Sequence, residues 1–171
     1  MKKKFLFMSL GIFIFAFLII STGLLKKFIL IVTIYSKSDI KEIQAISPSK
    51  TGKPLELIID LDSQKNKKAL WLDLGHSFFS PEIYGEVNLN NTITEAQAKS
   101  IVKNTNLEDK IMVYDLIYLS TPMHGLKEGG YWIFQGINHL SSYTITTYID
   151  IKTGNYIVLD SYNKVLLDTY N

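Results

Sequence analysis

The chain has 171 residues, with 18 lysines and no arginine, 16 carboxylates, three histidines and no cysteine. Without guanidinium groups it lacks the preferred fork for bidentate capture of phosphate or guanine. Five lysines lie at or before Lys27 and every acid lies after it, so the remainder carries 13 lysines against 16 carboxylates, a net charge of −3 that argues against a nucleic-acid partner. The absence of cysteine excludes thiol nucleophiles, disulfides and a lipoprotein anchor, so hydrophobic burial must hold the fold.

The first element is the uncharged run Phe5–Leu25, 21 residues framed by Lys2, Lys3 and Lys4 on one side and Lys26 and Lys27 on the other. At about 1.5 Å per residue a helix of that length spans roughly 30 Å, the hydrocarbon thickness of a bilayer. The run predicts an uncleaved single-pass transmembrane helix, a signal-anchor held in membrane lipid. Lys2–Lys4 favour a cytoplasmic N-terminus and an extracytoplasmic domain, although Lys26 and Lys27 pull the other way. A cleavable signal peptide fits less well. Its apolar core is about 7–15 residues and ends in a small-x-small site, whereas this run is longer and ends in Leu24-Leu25-Lys26-Lys27.

Phe28–Tyr35 is apolar and β-branched, too short for a second span, and reads as a continuation of the helix. Residues 1–35 are thus the expected anchor, with its core at 5–25. Residues 36–54 read as a juxtamembrane linker, polar over Ser36–Gln44 and turn-rich over Ser47–Pro54. The period then changes to two. Leu55, Leu57, Ile59 and Leu61 alternate with Glu56, Ile58, Asp60 and Asp62, and Leu70, Leu72 and Leu74 continue the pattern after a polar connector. Residues 55–91 therefore predict a β-hairpin with one buried face, and a short strand around Tyr84–Leu89.

Residues 92–171 form the last expected unit. Thr94 can cap a helix that begins at Glu95, and Gln97 can reach back to complete a capping box. Ala98, Ile101 and Val102 give that helix a narrow apolar stripe, and Asn104–Asn106 end it. Strands follow over Ile111–Leu119, Tyr131–Ile137, Tyr143–Ile151 and Tyr156–Asp160, with a short one over Lys164–Leu167. The turn Asp150-Ile151-Lys152-Thr153-Gly154-Asn155 joins two of them, with Asp150 bonding turn backbone and Gly154 supplying a positive φ.

The helix opening Ile93-Thr94-Glu95-Ala96-Gln97-Ala98, the strand Tyr131-Trp132-Ile133-Phe134 and the closing hairpin Tyr148-Ile149-Asp150-Ile151-Lys152-Thr153-Gly154 resemble the PepSY domain. The resemblance covers residues 92 to about 162. It implies a helix-strand-strand-strand unit and a role in inhibiting peptidases or regulating the bacterial envelope. The anchor-plus-domain layout is similar to that of cell-wall elongation regulators. The expected fold class is accordingly α+β: one N-terminal transmembrane helix, then a small antiparallel-sheet domain with one packed helix, Trp132 filling the sheet face beneath it.

Candidate chemistry is sparse. His76, His124 and His139 have no partner at helical ligand spacing, and a zinc site needs three or four converging ligands. Asp60, Asp62 and Asn66 lack the glycine and terminal glutamate of a calcium loop, and alternate carboxylates on a wet strand face explain them. No G-x-S-x-G occurs, and Gly129-Gly130 is an isolated pair. Neither a metal, a cofactor nor a catalytic residue is expected. Lys65, Lys67 and Lys68 read as a solvated hairpin end. The long connection Ser120–Gly130 holds Met123, His124, Leu126 and Lys127, the candidate partner-binding loop. The expected function is non-catalytic binding and regulation of another envelope protein, such as a peptidase or wall-synthesis enzyme. A small enzyme with an unrecognised site and an immunity-type protein against a membrane-active peptide are the alternatives.

Overall fold

The computed structural model describes residues 11–18, 24–37, 40–50, 55–62, 64–73, 81–105, 110–137 and 143–170. Within them the chain forms two antiparallel sheets, each a meander in which consecutive strands are neighbours. The first sheet takes β1 (Ile40–Pro48), β2 (Leu55–Asp62), β3 (Lys67–Asp73) and β4 (Glu82–Asn88). The second takes β5 (Lys110–Leu119), β6 (Gly129–Ile137), β7 (Thr144–Asp150), β8 (Tyr156–Asp160) and β9 (Val165–Asp168). A helical stretch, α1, includes the described residues 11–18, α2 is Leu24–Lys37 and α3 is Glu95–Asn104.

This architecture corrects the expected class of a transmembrane helix plus one small sheet domain with a single helix. The described residues are mostly antiparallel sheet, in two sheets with three short helices, and no helix among them is long and apolar enough to cross a membrane. The reason is geometric. At about 1.5 Å per residue, the 14 residues of α2 extend about 21 Å, against the roughly 30 Å of a bilayer core. Lys26 and Lys27 fall in the first turn of α2, so this helix starts at the charged end of the apolar run. The single-pass signal-anchor with a cytoplasmic N-terminus and an extracytoplasmic domain is corrected on the same ground. The other residues of the Phe5–Leu25 run, 5–10 and 19–23, lie outside the described residues.

Helix α2 is used as a cover for the first sheet. Leu30 and Ile34, one turn apart, are buried against Ile58, Leu70 and Leu72, with Ile43 and Ile46 beside them. β1 occupies the segment that reads as a polar linker in sequence. Ile43 and Ile46 are three residues apart, yet both join this cluster because the β1–β2 register shifts between Ile43 and Ala45. A bulge of this kind breaks the period of two by which strands are recognised.

The β2–β3 hairpin is buried on both faces rather than one. Ile58 and Leu70 are paired and point toward α2, whereas the pairs Leu57–Trp71 and Ile59–Ala69 point toward the second sheet. There Leu57, Ala69, Trp71 and Val87 form a core with Leu116 and Ile151. The Trp71 indole N–H donates to the Leu116 carbonyl at 3.0 Å, so this buried polar group is satisfied across the junction. Asp115, itself buried, accepts from Ser49 Oγ at 3.0 Å and from the Lys50 N–H at 2.6 Å, tying the residues after β1 to β5.

α3 begins as its residues dictate. Thr94 Oγ1 accepts from the Gln97 N–H and Gln97 Oε1 accepts from the Thr94 N–H, the reciprocal capping box. Glu95 lies in the first turn and Lys103 in the last, both with the favourable sign for the helix dipole. Ala98 and Val102 bury against Phe134 and Ile149 of the second sheet. The opposite face of that sheet carries Ile117, Tyr131, Ile133, Ile157 and Leu159.

Candidate binding site

The loop between β5 and β6 separates its four candidate residues into two kinds. Met123 and Leu126 bridge each other, with Met123 N–H to Leu126 carbonyl at 3.1 Å and the reverse at 2.8 Å. His124 and Gly125 sit between them with φ of 50° and 85°, the left-handed pair of a tight hairpin turn. Leu126 is buried in the core under the second sheet and Met123 packs beside it. Tyr131 fixes the loop from below: its hydroxyl donates to the Lys127 carbonyl at 2.9 Å and accepts the Lys127 N–H at 3.1 Å. The loop is therefore a lid on the sheet's outer face, and only His124 and Lys127 of the four are exposed.

Tyrosine hydroxyls mark how firmly this region is held. The Tyr118 hydroxyl donates to Glu128 Oε1 at 2.6 Å, and that bond, with burial and the charge of Glu128 behind it, pushes the phenol from 10.0 up to about 12. Burial pushes Tyr131, Tyr148 and Tyr170 upward as well, Tyr131 against hydrogen bonds that favour its ionised form.

A cleft of about 410 Å³ opens where β3, the N-terminus of α3 and the second sheet meet. Backbone bonds build it. The Leu89 N–H donates to the Lys67 carbonyl at 2.7 Å, and the Lys67 N–H donates to Asn90 Oδ1 at 3.1 Å. Thr92 Oγ1 turns back to the Leu89 carbonyl at 2.8 Å. The Ile93 N–H donates to the Ile151 carbonyl at 2.7 Å, and the Trp132 indole N–H donates to the Ile93 carbonyl at 2.8 Å. These wall groups satisfy one another, which leaves a floor made of Ile59, Leu89, Leu116, Trp132 and Ile151. Lys67 and Glu95 stand among the lining residues. Glu95 is paired with Lys99 at 2.5 Å, and that bond raises the Lys99 ammonium although burial opposes it. Chemically the cleft suits an apolar group.

The other candidates are dispersed. His76 and His139 lie outside the described residues, as do the side chains of Asp60 and Asp62. Among the described residues no group of three or more His, Asp or Glu is placed to hold a metal. Lys68 pairs with Glu86 at 2.7 Å, and Lys67 reaches the cleft, so the lysine cluster is split. Gly130 sits beneath Ile151, where a Cβ would approach its Cδ1 to 2.7 Å. Sequence reasoning misses the cleft because its lining comes from six separate stretches of chain. It also misses an exposed apolar edge at Val165–Leu167, although three successive apolar residues in a terminal strand were a visible signal.

No family model matches the sequence, and no curated protein matches it. Among solved structures the chain is similar to the YpmB protein from Bacillus subtilis, with a TM-score of 0.50 and 14% identity over 79% of this chain and 89% of that one. A likeness at that identity concerns the fold alone.

Proposed function

We propose that the chain is a non-catalytic binding protein that regulates another protein, seating an apolar side chain of that partner in the cleft beside α3. The apolar floor under Trp132 carries this reading. Its 410 Å³ falls within the roughly 300–1,000 Å³ of ordinary ligand pockets. Buried anchors of this type supply most of the energy of protein interfaces. A peptidase or a wall-synthesis enzyme is the partner class, drawn from the PepSY resemblance of residues 92–162.

The test uses a photocrosslinking residue at Lys67 on the cleft and, as a control, at Lys152 on the exposed β7–β8 turn. Adducts from position 67 alone that contain a peptidase or wall-synthesis enzyme, whose rate then changes when the purified chain is added, support the reading. The adduct should disappear when Ile59→Trp fills the floor. Equal adducts from both positions, or an adduct indifferent to Ile59→Trp, would overturn it.

A further inference from the structure

We propose that β9 is a self-association edge, on which a second copy of the chain pairs antiparallel about a two-fold axis at Leu166. This goes beyond the cleft and involves different residues. β9 ends the strand order of the second sheet, so its outer edge has no strand partner among the described residues. Its residues Val165, Leu166 and Leu167 are 42%, 44% and 37% exposed. Three successive apolar residues, exposed on both faces of an unpaired edge, form the kind of template on which another strand adds. Leu166 is also the extra residue of a bulge: Val158 pairs with Leu167 and Leu159 with Val165, which leaves Leu166 unmatched within its own sheet.

The charges flanking this apolar triplet select a second copy as the occupant. In an antiparallel pair centred on Leu166, Lys164 lies opposite the partner's Asp168, and Val165 lies opposite the partner's Leu167. Both matches occur twice by symmetry. A register shifted to centre on Val165 or on Leu167 loses both charge pairs. The Lys164 backbone and the Asp168 carboxylate are held by bonds within the chain. The Lys164 N–H donates to Asp160 Oδ1 at 2.9 Å, and Asp168 Oδ1 accepts the Tyr170 N–H at 2.8 Å. Opposite charges facing across a strand pair stabilise it and like charges destabilise it. The two-fold closes the assembly, because each edge is consumed by the other. A four-residue edge buries less than the about 1,600 Å² of a standard interface, so the association is micromolar or weaker.

Sedimentation of the full-length chain from about 1 µM to about 1 mM, a range that brackets weak pairs, should show a reversible monomer–dimer equilibrium. K164D alone and D168K alone should each weaken it about tenfold, since each places like charges opposite twice. An equimolar mixture of the two should form a heterodimer, and the K164D/D168K double swap should restore the homodimer. Because the chain has no cysteine, Leu166→Cys should form a symmetric disulfide under mild oxidation, whereas Val165→Cys should not. This second readout stands even if a charge variant folds poorly. A chain that stays monomeric throughout, a dimer unmoved by the charge variants, or linking as efficient through position 165 as through 166 would overturn the proposal.

Discussion

Gly154 has two independent reasons to be glycine. Its φ is +77°, and a Cβ there would approach Ile93 Cδ1 to 2.6 Å. The turn around it is closed by Asp150, whose Oδ1 accepts the Lys152 N–H at 2.7 Å and whose carbonyl accepts the Gly154 N–H at 2.9 Å. Gly154→Val should therefore cost about 2–4 kcal/mol, combining left-handed strain in a β-branched residue with overpacking, measured by denaturant unfolding. Asp150 and Gly154 were legible in the sequence because the turn's chemistry is local. Gly85 was not: its demand comes from the Tyr118 ring on the other sheet, into which a Cβ would run. Tyr118 adds a pH dependence. Its phenol is raised from 10.0 to about 12 in the folded chain, chiefly by the bond to Glu128. A raised value means that the native state holds the proton longer. Its stabilising contribution is complete below pH 10 and is lost as pH rises from 10 to about 12. Glu128→Gln should bring one tyrosine of the late-titrating group toward 10 and lessen the loss of stability over that window, while Tyr131, Tyr148 and Tyr170 stay late because burial holds them.

At the scale of elements, legibility followed how local the determinants are. The α3 start was readable from Thr94 and Gln97, and Thr94→Ala should cost about 1 kcal/mol by removing the acceptor of the Gln97 N–H. A melting curve unchanged by that substitution would mean that the cap contributes nothing. β8 was readable to the residue, because Tyr156–Asp160 is bounded by turns on both sides. β1 was hidden by its bulge, and the function of α2 as a sheet cover was hidden by an apolar run that continues into it from a different helix. The β5–β6 loop shows a subtler limit. Met123 and Leu126 in polar company read as a surface for a partner, but the partner of Leu126 is the chain's own sheet. Leu126→Ala should cost about 2–5 kcal/mol as a core truncation, whereas Lys127→Ala should stay within about 0.5 kcal/mol. The cleft was illegible because no single stretch of sequence carries it.

At the scale of the molecule, the question is whether two meanders in one chain behave as one unit. Each has contacts of its own on its outer face, α2 on the first sheet and the β5–β6 lid on the second. The core between them, Leu57, Ala69, Trp71 and Val87 against Leu116 and Ile151, is flanked by a cluster of rings around Tyr118. Trp71 lies 5.6 Å from it, centroid to centroid, Tyr84 lies 6.2 Å away edge-on, and Gly85 lies directly against the ring. The Trp71 indole bond to the Leu116 carbonyl crosses the same junction. If this joint carries the cooperativity, the wild-type chain unfolds in one transition that coincides by fluorescence and by circular dichroism. Trp71→Phe removes the donor to a buried carbonyl and should cost about 1–3 kcal/mol. Gly85→Ala pushes on the Tyr118 ring and should cost about 1–3 kcal/mol by overpacking. Both act on the same ring, so the two costs should fail to add by more than about 0.5 kcal/mol in a double-mutant cycle. The double variant should also separate the two probes, because a phenyl ring at position 71 beside a displaced Tyr118 loosens the packing at the edge of the core between the sheets. Additive costs with coincident transitions would mean that the sheets are held together elsewhere, with the tie from Ser49 and Lys50 to Asp115 as the next bond to cut.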